Sequence, residues 1–268
     1  MSGKVDFDNK EIGAFFKAAQ ETEQATLADS ELFGIIEDCH KYLLTCLSVT
    51  ARHKERWTTL LALKSVHYFH SALRIAVSGQ AGSTFGALRS ALEAACYANV
   101  FSRDKDLLQV WLERGETEES RTKARNKLKG LVQRAADHAE RRIEPAGRII
   151  KDFHEAVIDF GAHPNMIGWK HHIRVGDITD GMLPVSVAGV YGADSLETYR
   201  ALLACVEGLL PITIVLLTIS HDEPTEAIEL INSTTNAADR LREILISRGL
   251  DDTSNIYKMK YRSEITPP

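Results

Sequence analysis

His67, His70 and Arg74 stand at i, i+3 and i+7, so a helix through them presents all three on one face. Leu60 and Leu63 lie on that face one and two turns earlier. A face that begins apolar and turns ionisable marks either a polar pocket at one end of a helical bundle or a solvated stripe with two ordinary histidines. Arg89, Glu93 and Tyr97 stand at i, i+4 and i+8 in a segment otherwise built of Ala87, Leu88, Ala91, Leu92, Ala94 and Ala95. Arg before Glu is the less favourable order for a pair on an isolated helix, so helix stabilisation alone is a poor reason for it. Two readings stand. One is a buried pair that fixes helix register. The other is a guanidinium held by a carboxylate and aimed into a pocket, where its planar fork takes phosphate or carboxylate. Asp159 and His163 are again i, i+4, with Pro164 and Asn165 following. The carbonyls of a helix end favour a protonated imidazole, and histidine is the usual proton-transfer side chain near neutral pH. The same histidine also serves as a plain C-terminal cap.

Counting motifs narrows the chemistry. A di-iron bundle needs Glu-x-x-His on two helices, and Glu37 to His40 is the single instance here. His171 and His172 are adjacent and would point to opposite sides of a strand, a poor chelate. With no H-E-x-x-H and no paired C-x-x-C, no metal is assigned. Gly79 to Gly82 follows a helix and lacks the Gly-Lys-Ser/Thr ending of a phosphate loop, and no serine nucleophile elbow occurs, so no cofactor is assigned.

The elements that must position these residues show a period of 3.6 almost throughout. Leu32, Ile35, Ile36, Leu43, Leu44 and Leu47 predict a helix over 30–50, capped by Asp29 or Ser30. A second helix is expected over about 53–78, and Gly79 and Gly82 break the chain. A third, capped by Ser83 or Thr84, reaches about Phe101, and Asp104 starts a short fourth. Residues 116–139 predict one exposed helix with a thin apolar stripe. A further helix begins after Pro145 and ends near Ala162, where Gly161 and Pro164 stop it. Residues 170–191 alternate β-branched side chains around Asp180-Gly181, predicting a short β-hairpin or extended flap. Asp194 with Glu197 forms a capping box for the helix through Leu217, and Pro224 opens a last helix to about Ser247. The expectation is therefore an all-α, multi-helix bundle: one helical domain over 1–248 and a loose tail over 249–268.

Hydrophobic residues make up 44% of the 268, enough for a substantial core. The net charge of -5 makes the whole chain no attractor of nucleic acid, but residues 121–151 hold ten Lys/Arg against Asp137, Glu140 and Glu144. That local surplus suits an anionic partner such as RNA. Cys39, Cys46, Cys96 and Cys205 all fall in apolar helical stretches and read as small buried hydrophobes of a reducing compartment. The polar, acidic N-terminus has no signal-peptide core, which makes the cytoplasm the expected location. Leu202 to Ser220 is nearly all apolar but carries Glu207, Gly208 and Pro211, without Lys/Arg clusters at its ends. The reading is a helix buried on all sides or one face of a homodimer, and a membrane is not favoured.

The run LRSALEAACYANV over 88–100, followed much later by a helix ending in His163-Pro164, resembles a group of uncharacterised bacterial all-helical families with an LR-x-x-x-E helix and a late His-Pro. Those families loosely resemble the HEPN superfamily, many of whose members cut RNA as toxins or defence proteins. The HEPN hallmark, Arg, then four to six residues, then His, fits Arg148 and His154, with Ile149 where a polar residue is usual. The resemblance implies a metal-independent ribonuclease in which Arg89 or Arg148 stabilises charge at phosphorus, His163 or His154 acts as general acid/base, and 121–151 holds the RNA backbone. The residues alone point instead to a helical protein that binds a partner or small ligand, homo-oligomeric, its pocket lined by His67, His70, Arg74, Tyr97, Asp159 and Asn165 beside Arg89 and Glu93; the resemblance implies a role in stress or phage defence.

Overall fold

The computed structural model describes residues 10–52, 55–162, 172–175, 185–219 and 224–250. These are almost wholly helical, and the fold class is all-α. In chain order the helices are α1 (Lys10–Ala28), α2 (Ser30–Ala51), α3 (Arg56–Val77), α4 (Ala81–Phe101), α5 (Lys105–Glu113), α6 (Glu118–Lys127), α7 (Leu131–Glu140) and α8 (Ala146–Val157). A π-helical turn, Ile158–Ala162, extends α8, and α9 (Leu196–Leu217) and α10 (Pro224–Ser247) complete the set. Between the π-helical turn and α9, β1 (Ile173–Val175) pairs antiparallel with β2 (Val185–Val187), Arg174 opposite Ser186. Asp180-Gly181 lies outside the described residues.

α9 is the axis of the molecule. Every residue from Thr198 to Leu217 is buried. Helices α2, α3, α4, α8 and α10 pack around it, which is why its apolar run shows no amphipathic period: it has no solvent side. α9 is also the single helix among the described residues long and apolar enough to cross a membrane, and all of that window is buried inside the chain. Pro211 sits within it.

The caps explain the boundaries. The Asp29 carboxylate accepts from the backbone N–H of Glu31 and Leu32 and is ion-paired with Arg248, 2.6 Å away. Asp104 accepts from Leu107 N–H at 2.9 Å, and Glu55 accepts from Thr58 N–H. Ser195, not Asp194, caps α9: its hydroxyl accepts from Thr198 N–H at 3.2 Å. α4 begins at Ala81, two residues before the expected Ser83, with no side-chain cap. The single helix expected over 116–139 is two, because Gly130 adopts φ +75° and turns the chain between α6 and α7. α1 was not predicted; its apolar face is thin, and Ile12 and Phe16 stay exposed.

All four cysteines are buried thiols. Burial pushes the Cys39 and Cys46 thiols up to about 12, keeping them protonated.

Candidate functional site

α4 is built for close packing. Its alanines and Leu88 turn inward against α3 and α9, and the Ser65 hydroxyl of α3 donates to the Ala91 carbonyl at 2.7 Å inside that contact. The row Arg89, Glu93, Tyr97 is left half-buried along the opposite edge. Arg89 Nε donates to Glu93 Oε1 at 2.7 Å. The same oxygen lies 3.2 Å from Nε2 of His154, which α8 brings in from sixty-one residues away. Burial raises the Glu93 carboxyl, but the hydrogen bonds from His154 and Arg89 outweigh it and hold the group below the usual carboxylate range.

The position of His154 is set by its neighbour. Phe153 is fully buried, and its ring lies against Gly208 of α9, where an added Cβ would come within 2.5 Å of Cζ. The missing side chain lets α8 approach the central helix, and that approach places the imidazole on Glu93.

Glu93 and Tyr97 also form one wall of a groove of about 490 Å³ between α3, α4 and α5. The other walls include Trp57, Lys64 and Tyr68 from α3 and Trp111 from α5. Trp57 and Trp111 meet edge to face at 6.0 Å, and Phe101 lies between Tyr97 (5.6 Å) and Trp111 (5.7 Å). Lys64 Nζ sits 4.5 Å from the Tyr68 ring centroid and the Arg56 guanidinium 5.5 Å from that of Trp57, so cations already rest on these rings. Burial, and then the nearby Glu93 charge, push the Tyr97 hydroxyl up, leaving it a neutral donor. The groove therefore offers flat apolar walls, an acceptor at Glu93, donors at Tyr68 and Tyr97, and one ammonium.

The remaining candidates are dispersed. His67, His70 and Arg74 do follow one row of α3, but the row serves two places. His70 Nε2 lies 2.9 Å from Nδ1 of His40 on α2, and His67 is exposed beside it. Burial, then the His40 and His67 charges, hold the His70 imidazole below its ordinary value. Arg74 instead pairs with Glu23 of α1 at 3.5 Å, on the wall of a separate cavity of about 620 Å³ between α1 and α3. Asp159 is half-buried in the π-helical turn. His163 and Asn165 lie outside the described residues. Arg148 is exposed on α8, and its six-residue separation from His154 turns the two side chains about 120° apart around the helix axis.

The basic stretch spreads over α6, α7 and α8, and several of its charges are engaged. Lys151 pairs with Asp137 at 2.9 Å, and Arg142 donates to the Thr218 carbonyl at 3.1 Å. Arg103 donates to that carbonyl as well, closing the C-terminus of α9. Burial and the charges of Arg142 and Arg141 bring the Arg103 guanidinium down to about 10.

Trp57, Lys64, Tyr68, Trp111 and His40 were not among the sequence candidates. The aromatic residues come from the start and middle of α3 and the end of α5, so no local spacing joins them; His40 stood out only as half of a Glu-x-x-His motif, because its partner is thirty residues away. Among the described residues no group of three or more His, Cys, Asp or Glu is placed to hold a metal ion. No protein-family model, curated protein or solved structure matches this chain.

Proposed function

We propose that this chain is a helical binding protein whose site is the aromatic groove between α3, α4 and α5, taking a small organic ligand with a flat body. The observation that supports this best is the joining of the groove to the Arg89–Glu93–His154 cluster: a carboxylate fixed by two donors forms part of a groove rich in aromatic and aliphatic side chains. The volume falls in the range of ordinary ligand pockets, roughly 300–1,000 Å³. In this reading residues 170–191 are a hairpin or flap tied down at its ends. Tyr191 N–H donates to the Gly79 carbonyl at 2.9 Å, and the Tyr191 hydroxyl lies 2.8 Å from His172 Nδ1. The protein would act in the bacterial cytoplasm as a homo-oligomer, in stress or phage defence.

The test is native mass spectrometry of the purified chain, joined to tryptophan-fluorescence titrations with a panel of small aromatic acids, amines and nucleosides. The expected result is one saturable ligand class whose affinity falls at least about tenfold in Tyr97→Ala and Glu93→Gln, as loss of a well-placed contact of about 1.4 kcal/mol requires. Absence of any saturable ligand, or binding indifferent to both substitutions, ends the reading.

One observation favours the ribonuclease alternative: Arg89 and His154, from different helices, meet on one carboxylate beside the basic helices. In that reading Arg89 stabilises charge at phosphorus and His154 moves the proton. Against it, Arg89 Nε is already hydrogen-bonded to the Glu93 carboxylate at 2.7 Å, and that negative charge would repel a phosphodiester. Single-stranded RNA incubated with the chain in EDTA separates the two: cleavage that disappears in Arg89→Ala and in His154→Ala supports the nuclease, and intact RNA supports the binding protein.

A further inference from the structure

The contact between His40 and His70 belongs to neither the groove nor the Glu93 cluster. α2 and α3 pack side by side, and His40 Nδ1 stands 2.9 Å from His70 Nε2, with ring centroids 4.9 Å apart. A neutral imidazole has one N–H and one bare nitrogen, so this contact needs a donor on one ring and a lone pair on the other. When the donor ring takes up its other tautomer, its proton moves to its outer nitrogen, and both facing nitrogens then present lone pairs to the same small volume.

The separation decides which cation fits. With metal–nitrogen bonds of roughly 2.0–2.1 Å, two nitrogens 2.9 Å apart subtend about 90° at the metal. A tetrahedral ion such as zinc asks for about 109°, which would need the nitrogens roughly 3.3 Å apart. Right angles are the cis positions of square-planar and octahedral ions, which with nitrogen donors means copper(II) or nickel(II).

We infer that His40 and His70 form a two-imidazole site for copper(II) or nickel(II), its remaining coordination positions open to water. His40 is exposed and His70 partly so, which gives the ion an entry path. The helices supply rigidity, as each histidine sits mid-helix beside a buried residue, Cys39 on α2 and Phe69 on α3. With two protein ligands the site binds by geometry and ligand type, and the proton of the hydrogen bond moves to the outer nitrogen of its own ring rather than being lost. Motif counting along single helices could not find it, because each helix contributes one nitrogen.

The experiment uses the untagged full-length chain. Copper(II) chloride is titrated at neutral pH and followed by calorimetry and electron paramagnetic resonance, with nickel(II) and zinc(II) chloride in parallel calorimetry. The expected result is one copper per chain, with a spectrum showing two nitrogen donors. His40→Ala and His70→Ala should each lower the affinity by about tenfold or more, since even losing a second-sphere partner costs that much. His172→Ala should leave it unchanged, and nickel should bind at least as tightly as zinc. Copper binding that survives both His40→Ala and His70→Ala overturns the site, as does a spectrum without two nitrogens. Zinc binding more tightly than nickel overturns the right-angle geometry. His40→Asn, an exposed change that keeps the fold, guards against loss through unfolding.

Discussion

Glu93 takes hydrogen bonds from Arg89 and His154 at once, and its carboxyl is held below its ordinary value despite partial burial. A carboxyl with a depressed folded-state value stabilises the fold above its unfolded value, and that contribution disappears as pH falls through the folded one. Glu93→Gln should therefore destabilise most at pH above about 4.3, the ordinary glutamate value, and the gap to the parent chain should close below it. Urea unfolding from neutral to acid pH reads this, and a gap constant across that range would show that Glu93 acts through packing alone. Two of the three members of the cluster were legible as a pair in the sequence. Arg89 and Glu93 are paired by a local rule, four residues apart on one helix face. Their histidine partner was not, because two candidates, His154 and His163, fit equally well by spacing, and choosing between them is a matter of how α8 lies across α4. His67, His70 and Arg74 show the opposite limit. Their shared face was read correctly, yet side chains on one row can reach different neighbours, and Glu23 of α1 draws Arg74 away.

Helix boundaries follow the chemistry of a few positions. Asp29 and Asp104 were readable because their carboxylates cap helices without help from elsewhere. The break between α6 and α7 was not, because Lys, Arg and Ala favour helix on both sides and Gly130 decides the matter by its positive φ alone. Gly130→Ala has open space for the new methyl, so its cost is conformational, roughly 1 kcal/mol. Gly79 shares the φ of +75°, but a Cβ there would fall 2.1 Å from the Tyr191 carbonyl. Gly79→Ala should cost roughly 2–4 kcal/mol and release Tyr191 from the α3–α4 corner. Chemical denaturation of the two variants side by side checks the order; equal losses would refute the close approach. Gly208→Ala tests the seating of α8. Pushing Phe153 off α9 should cost roughly 1–3 kcal/mol and move His154 away from Glu93, visible as a changed chemical shift of the His154 imidazole in NMR spectra.

For the molecule as a whole, the apolar run over 202–220 was the clearest signal in the sequence, and it is the central helix. Its one acid was harder to place. Glu207 pairs with Arg242 of α10, and its second carboxylate oxygen is buried with no hydrogen-bond partner among the described residues. Breaking such a pair strands a buried charge, whereas replacing both members with apolar side chains removes the problem. Arg242→Leu alone should destabilise by roughly 3–5 kcal/mol, and Glu207→Leu with Arg242→Leu should be neutral or more stable than the parent. A double variant as unstable as the single one would show that the pair itself holds α10 in place.

The central helix also sets a timetable for synthesis. α2, α3 and α4 emerge from the ribosome early, but the helix they enclose begins at Leu196, roughly 95 residues after α4 ends. At roughly 5–20 residues per second that is a wait of roughly 5–20 s with the inner faces of those helices unfilled. A chain arrested before residue 196 should bind the dye ANS strongly and lack fixed side-chain packing, and adding α9 and α10 should abolish both traits together. The protein's most apolar segment thus reaches α2, α3 and α4 only after a long delay, during which those helices have one another but not the surface that fills their inner faces.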